Sequence, residues 1–289
     1  MRISPIGPVF GDFSMKSKAT RRFLESALRR VPPRTIATPW FRSWLRTCET
    51  LRITSDEALV SKYRHFRGRE KFLAIMVLYH HRYRGAIPLL FRELRSPDAL
   101  IGGAAGGALA MIGGQSVLVG LQKMLSEAAV CGLRERVVGA LALFNGPSLW
   151  RRTAPILSNI FDSRSESANV RATAAEGLAN ALGDADKRTA IFRSAVKSLI
   201  RALDDRSPDV RCCAAYALGQ LEAKAALPAL ARLSKHDTGR CGGIGPVHTE
   251  AAEAIARILQ GRYSVNVGEC GRVEDQHTRH VDQINIRSI

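Results

Sequence analysis

Aromatic residues make up only 6% of the 289-residue chain, so burial has to come from Leu, Val, Ile and Ala rather than from a few large rings. Six cysteines, at 48, 131, 212, 213, 241 and 270, form no Cys-x-x-Cys pair, and two of them are adjacent within a predicted helix. That pattern excludes a disulfide framework and reads as reduced thiols in the cytoplasm. The opening MRISPIGPVFGDFS has no apolar run of secretory length. Charged residues are missing from Ala99 to Gln122, but six glycines between Gly102 and Gly114, with Gln115 and Ser116, leave that run too weakly hydrophobic to span a membrane. Two short buried helices broken at Gly113-Gly114 explain it, and the spacing of Gly102/Gly106 and Gly103/Gly107 would allow close helix approach. It is no phosphate loop, since no Lys-Ser/Thr follows the glycines and no strand precedes them. Neither a Ser/His/Asp arrangement nor paired carboxylates stand out, so no catalytic residue and no cofactor is assigned.

What is present is periodicity. In Ser207 to His236, Ser207 suits a helix N-cap, Pro208 the first helical position and Asp209 the positive helix end. Val210, Ala214, Ala217, Leu218 and Leu221 then recur at three- and four-residue steps, one apolar stripe of an amphipathic helix. After a connection at Glu222 to Ala225, a second helix carries Leu227, Leu230 and Leu233, with Pro228 in its first turn. Neither helix can bury its stripe alone, so the unit needs similar neighbours on both sides. Setting Ala217-Leu218 on Val77-Leu78 brings Leu227-Pro228-Ala229-Leu230 onto Ile87-Pro88-Leu89-Leu90 without a gap. Further first-helix copies centre on Ala108-Leu109, Ala140-Leu141, Gly177-Leu178 and Ala254-Ile255, at a period of about 31 to 40 residues. Expected turns are Asn145-Gly146-Pro147 and Gly183-Asp184, with Ser148 and Asp184 as caps.

The Pro-Asp-Val-Arg start, the Ala-Ala-x-Ala-Leu-Gly core and the Ala-Leu-Pro-x-Leu second helix resemble the HEAT repeat family, in its bilin-lyase-like variant, over about Arg69 to Gly261. The resemblance implies an all-α fold, a right-handed α-α superhelix of the armadillo type with five to six helix pairs. It also implies an Asp/Arg ladder between repeats. Asp209 and Arg211 match both ladder positions, Arg134 and Arg171 only the Arg, and Gly102 neither, so an incomplete ladder is expected. The organisation predicted is a flexible leader (1–15), a basic N-terminal helical cap (16–66), a repeat solenoid (67–262) and a disordered tail (263–289). Within the cap, helices are expected over Lys16 to Arg30, stopped by Pro32-Pro33, and over Pro39 to Leu51 with Trp40, Trp44 and Leu45 on one face.

Basic residues exceed acidic ones, 43 to 26, and residues 1–95 alone hold 20 against 7. An anionic partner is therefore expected at the N-terminal third. The candidate residues are Lys62, Arg64, Arg67, Arg69 and Lys71, interleaved with Tyr63 and Phe66, and Arg82 and Arg84 in the cluster Tyr79 to Arg84. Guanidiniums pair with phosphate and rings stack on bases, which suits nucleic acid. The two clusters flank one helix about 18 Å long, so they need not form one site.

Cys241 and His248, with Cys270, His277 and His280, offer zinc-ligand types, but not the tight pairs of structural sites. HEAT-like enzymes were compared too. His248-Thr249-Glu250 and Glu253 only faintly resemble the iron-binding pairs of deoxyhypusine hydroxylases, and Trp150, Arg151 and Asp162 do not register with alkylpurine DNA glycosylases. A shared repeat does not carry function. The reading is therefore a cytoplasmic, non-catalytic scaffold without metal, binding another protein through a concave surface of second helices. A nucleic-acid-binding solenoid is the alternative, and a HEAT-type lyase or glycosylase-like enzyme the minor one.

Overall fold

A computed structural model of the chain describes residues 15–29, 39–128, 131–144, 149–242 and 245–260. The leader apart from Met15, the tail, Pro32-Pro33 and the turn 145–147 with Ser148 lie outside the described residues. Those described form fourteen α-helices and one two-residue β-ladder. No helix among them is long and apolar enough to cross a membrane. The chain divides into two compact units, 1–120 and 121–289.

The first unit begins with α1 (Lys18–Leu28), capped by the Ser17 hydroxyl, which accepts from the Thr20 amide at 3.2 Å. Helix α2 (Pro39–Thr50) follows, then α3 (Asp56–Ser61), absent from the sequence-based expectation, and a 3-10 turn at Tyr63–His65. Helix α4 (Arg69–His81) is buried without interruption from Leu73 to Leu78. Such all-round burial needs cover on every side. α1 and α2 supply it on one flank, and α6 on the other. Helices α5 (Ile87–Glu93), α6 (Ala99–Ile112) and α7 (Gln115–Glu127) complete the region. Asp98 caps α6 through a 2.9 Å bond from the Leu100 amide. Between α6 and α7 the backbone passes through positive φ at Gly113 (63°) and Gly114 (91°), where any side chain would be strained. The charge-free stretch is thus two short helices, as predicted. Close approach does not explain Gly107, since a Cβ there would meet nothing within 4 Å.

The second unit is a regular stack: α8 (Cys131–Ala142), α9 (Trp150–Asp162), α10 (Ala168–Leu182), α11 (Ala190–Ala202), α12 (Pro208–Gln220), α13 (Leu227–His236) and α14 (Val247–Gln260). The first helices α8, α10, α12 and α14 pack side by side, and α9, α11 and α13 each also pack on the first helix that follows. All six dipeptides that set the repeat frame fall inside first helices, α4, α6, α8, α10, α12 and α14. Two glycines permit the tightest contacts. A Cβ on Gly177 would lie 2.8 Å from the Ala142 Cα, and one on Gly219 would lie 2.9 Å from the Ala254 Cα.

Two local expectations are corrected. Ser207 stands at the N-cap of α12, yet its side chain makes no capping bond; its amide instead donates to Asp205 Oδ1 at 3.0 Å. Asp184 is not the cap of α11, which starts at Ala190 under Thr189, whose hydroxyl accepts from the Phe192 amide. The Gly-rich stretch after Asp237 holds a small antiparallel ladder, β1 (Arg240–Cys241) with β2 (Gly245–Pro246).

Candidate functional site

The seven basic residues singled out in the first unit do not share one environment. Lys62 is half-buried and its ammonium donates to the Leu51 carbonyl, tying α3 to the end of α2. Lys71 lies over the Tyr63 ring, 5.6 Å from its centroid. Both are structural. Arg64, Arg67, Arg69, Arg82 and Arg84 are exposed, and none pairs with a described carboxylate. The interleaved rings are unavailable: Tyr63 and Phe66 are each 1% exposed and pack on one another. Arg67 and Arg69 reach a shared open cleft of about 570 Å³ with Trp40, Ser43, Thr47, His65 and Glu70. There Glu70 accepts from Ser43 Oγ at 2.8 Å and from Thr47 Oγ1 at 3.1 Å. Trp40 therefore parts from Trp44 and Leu45, which are fully buried. Arg82 and Arg84 stand at the far end of α4 and do not line this cleft.

In the second unit the frame arginines of α8, α10 and α12 build a ladder. Arg134 donates to Glu166, with Nε at 2.8 Å, and to the Leu125 carbonyl at 2.8 Å. Arg171 donates to Asp205 at 2.6 Å and to the Phe161 carbonyl at 3.1 Å. Arg211 grips both oxygens of Asp237, at 2.6 and 3.0 Å, and takes the Asp205 carbonyl at 2.8 Å. Each guanidinium joins the end of the preceding second helix or its loop to a carboxylate before the next first helix. His248, in the arginine's frame position on α14, keeps only the carbonyl half, with Nδ1 3.2 Å from Asp237 O. The expected incompleteness thus applies to Gly102 and His248, whereas the three intervening rungs are whole. Their acids are not at the frame position of Asp209, whose Oδ1 instead accepts the Gly242 amide. Hydrogen bonding from Arg211 holds Asp237 below the usual carboxylate range. For Asp205, burial pushes upward, but Arg171, the Ser207 amide and Arg164 outweigh it and leave the carboxyl lowered.

The ladder uses the first helices; the second helices present a different surface. Their exposed positions fall at helical steps on one face: Arg151, Arg152, Pro155 and Asn159 on α9; Arg193, Ser194, Lys197 and Arg201 on α11; Pro228, Arg232 and Lys235 on α13. Polar bonds join neighbouring members. Ser198 Oγ donates to Asp162 at 3.2 Å, Arg201 lies 4.0 Å from the same carboxylate, and Arg232 reaches Asp204 at 3.0 Å. A depression of about 340 Å³, lined by Asp162, Arg164, Arg171, Ser198 and Arg201, opens at the C-terminal ends of α9 and α11. On this face Arg151 stacks on Trp150 at 5.3 Å.

The residues weighed for metal or iron chemistry are engaged otherwise. Cys241 hydrogen-bonds with the Cys213 thiol, and that bond together with burial raises the Cys213 pKa, while Cys213 also donates to Glu176 at 3.3 Å. Glu250 and Glu253 both accept from Arg257, at 2.7 and 2.8 Å. No group of three or more His, Cys, Asp or Glu among the described residues is arranged to hold a metal ion. Cys270, His277 and His280 lie outside them.

Helix pairs stacked so that each contacts its neighbours, tied in the second unit by a repeating arginine, make a helical-repeat architecture. Residues 153–240 match the family model for HEAT repeats. Among solved structures, the complex of CpcE and CpcF of phycocyanin lyase from Nostoc sp. PCC7120 is similar at 20% identity and TM-score 0.47, over 61% of this chain and 97% of that one. Computationally designed armadillo repeat proteins for modular peptide recognition are similar at 20% identity and TM-score 0.41, over 70% of this chain and 99% of theirs. No curated protein sequence shows significant similarity to the chain.

Proposed function

We propose that this protein is a non-catalytic cytoplasmic scaffold that binds another protein through the second-helix side of its repeats. One observation carries the reading. In the second unit α8, α10 and α12 place their frame arginines in the inter-repeat ladder and leave only Gly132 and Asn169 exposed among their described residues, whereas α9, α11 and α13 each carry a row of exposed side chains. A photo-crosslinking residue at Ser194 or Pro228 should trap a protein partner in source cells, and one at Asn169 or Thr249, exposed on first helices, should not. Crosslinks confined to Asn169 and Thr249 would overturn the assignment.

Five of the exposed arginines of the first unit, Arg64, Arg67, Arg69, Arg82 and Arg84, support a second reading, an anionic partner there. With Tyr63 and Phe66 buried, base stacking loses its platform, which weakens the nucleic-acid version. Binding of single-stranded or duplex nucleic acid at low salt, lost when the five become alanine, would restore it.

A further inference from the structure

We infer that the second-helix face of the second unit is built for an acidic protein segment. The inference rests on the proposed docking of a protein on this face and adds the partner's chemistry. Charge in the unit is sorted by layer. Helices α9, α11 and α13 carry seven Lys and Arg (Arg151, Arg152, Arg193, Lys197, Arg201, Arg232, Lys235) against one acid, Asp162. The first helices α8, α10, α12 and α14 carry five arginines against five Asp and Glu. All seven second-helix cations are exposed. On α11 they recur at Arg193, Lys197 and Arg201, steps of four residues that line one face over about 12 Å. No acid on α11 or α13 offsets them, and the two nearby carboxylates, Asp162 and Asp204, stand at the C-terminal ends of α9 and α11.

This stripe favours a peptide over a nucleic acid for two reasons. A polyphosphate presents a negative group at every step and would meet Asp162 and Asp204, whereas a peptide can set an amide or a cation there. Stacking also needs exposed Phe, Tyr or Trp rings, and α11 and α13 offer none; Phe192 is buried, and Trp150 on α9 already lies under Arg151. Glutamates and aspartates spaced along an extended or helical segment can pair with Arg193, Lys197 and Arg232. Another carboxylate fits the mouth of the depression beside Arg201, which donates to Ser198 Oγ at 2.9 Å but lies 4.0 Å from its only described counter-charge, Asp162.

The test uses the full chain, a fluorescent peptide of about fourteen glutamates and an oligothymidylate of equal length. Three variants accompany it: R193E/K197E/R201E, R64E/R67E/R69E and S194W. All substituted positions are exposed, and thermal midpoints matching the parent confirm folding. Each exposed ion pair changes affinity about twofold, so the α11 reversal should weaken peptide binding by about tenfold once added repulsion is counted. The reversal in the first unit should weaken it by less. Equal peptide binding by the α11 variant, a larger loss from the first-unit variant, or tighter binding of oligothymidylate than peptide at the α11 stripe overturns the inference. Partner crosslinking from Pro228 separates the two layers of argument. If S194W blocks it and R193E/K197E/R201E does not, the face docks a protein but not an acidic one; if neither does, the docking reading fails as well.

Discussion

Asp205 is the residue on which the repeat ladder turns, and its removal gives the sharpest test of the fold's logic. Its carboxylate, 3% exposed, accepts from Arg171 at 2.6 Å, Arg164 at 3.0 Å and the Ser207 amide at 3.0 Å, while its carbonyl accepts from Arg211. Asp205→Ala leaves the Arg171 guanidinium, 10% exposed, with the Phe161 carbonyl but no counter-charge. Breaking a buried pair from one side costs about 3–5 kcal/mol. Arg171 keeps one strong acceptor, so the expected loss is about 3 kcal/mol at neutral pH. Arg164→Ala, removing a partner that is 79% exposed, should cost under about 1 kcal/mol. Arg171→Ala with Asp205→Ala should cost less than the sum of the singles by about 1.5 kcal/mol or more, because the second change removes an already orphaned group. Urea unfolding followed by far-UV circular dichroism measures all four chains. A loss under about 0.5 kcal/mol for Asp205→Ala, or strict additivity in the double variant, would refute the view that the ladder couples neighbouring repeats.

Acid should find the same rungs. Asp205 and Asp237 are both lowered when folded, so their contribution is full above the unfolded carboxylate pKa of about 4 and is lost as pH falls through the folded value. The urea midpoint should therefore drop below about pH 4, with a shallower slope in D205N/D237N; equal slopes would show that other groups govern acid unfolding. Glycine substitutions should split by position. Gly177→Ala pushes a methyl to 2.8 Å from the Ala142 backbone and should destabilise by about 1–3 kcal/mol, whereas Gly139→Ala and Gly107→Ala meet nothing within 4 Å and should stabilise by up to about 1 kcal/mol in thermal melts. In the first unit, Lys62→Ala should lower the midpoint by about 1 kcal/mol through the lost bond to Leu51 O, while alanine at Arg64, Arg67 or Arg69 should leave it within about 0.5 kcal/mol. Equal effects at all four positions would remove the division between structural and free cations.

The helices were legible because each repeat must bury a stripe, and burial writes itself at three- and four-residue steps. Ladder arginines were legible for a related reason, since Arg134, Arg171 and Arg211 hold one frame position on first helices. Their acids were not. Glu166, Asp205 and Asp237 sit in connections of differing length, 26 to 34 residues after the arginine, and no fixed spacing marks a loop residue. The misplaced cap at Asp184 has a similar origin. Thr189 closes the turn instead, its hydroxyl donating to the Asp186 carbonyl, and nothing in the local composition ranks one cap above another. The buried rings had a signal that went unused. Tyr63 and Phe66 are three residues apart, and in a 3-10 turn that spacing puts side chains on one edge, where both can turn inward together.

Charge was the feature most easily misplaced. A sum along the chain puts the excess in residues 1–95, yet part of that excess is occupied by structure, with Lys62 on a carbonyl and Lys71 over a ring. The remainder of the chain is only slightly basic, net +4, because first and second helices alternate every few tens of residues and a running sum averages a neutral layer with a positive one. Only when side chains are grouped by layer do the seven cations of α9, α11 and α13 separate from the balanced first helices. The repeat frame itself supplies that grouping, since it tells which helix of each pair is which before any coordinates exist. In a solenoid, then, net charge bears on function when it is counted per helix layer, because one layer must be spent on holding the repeats together and the other is left to meet a partner.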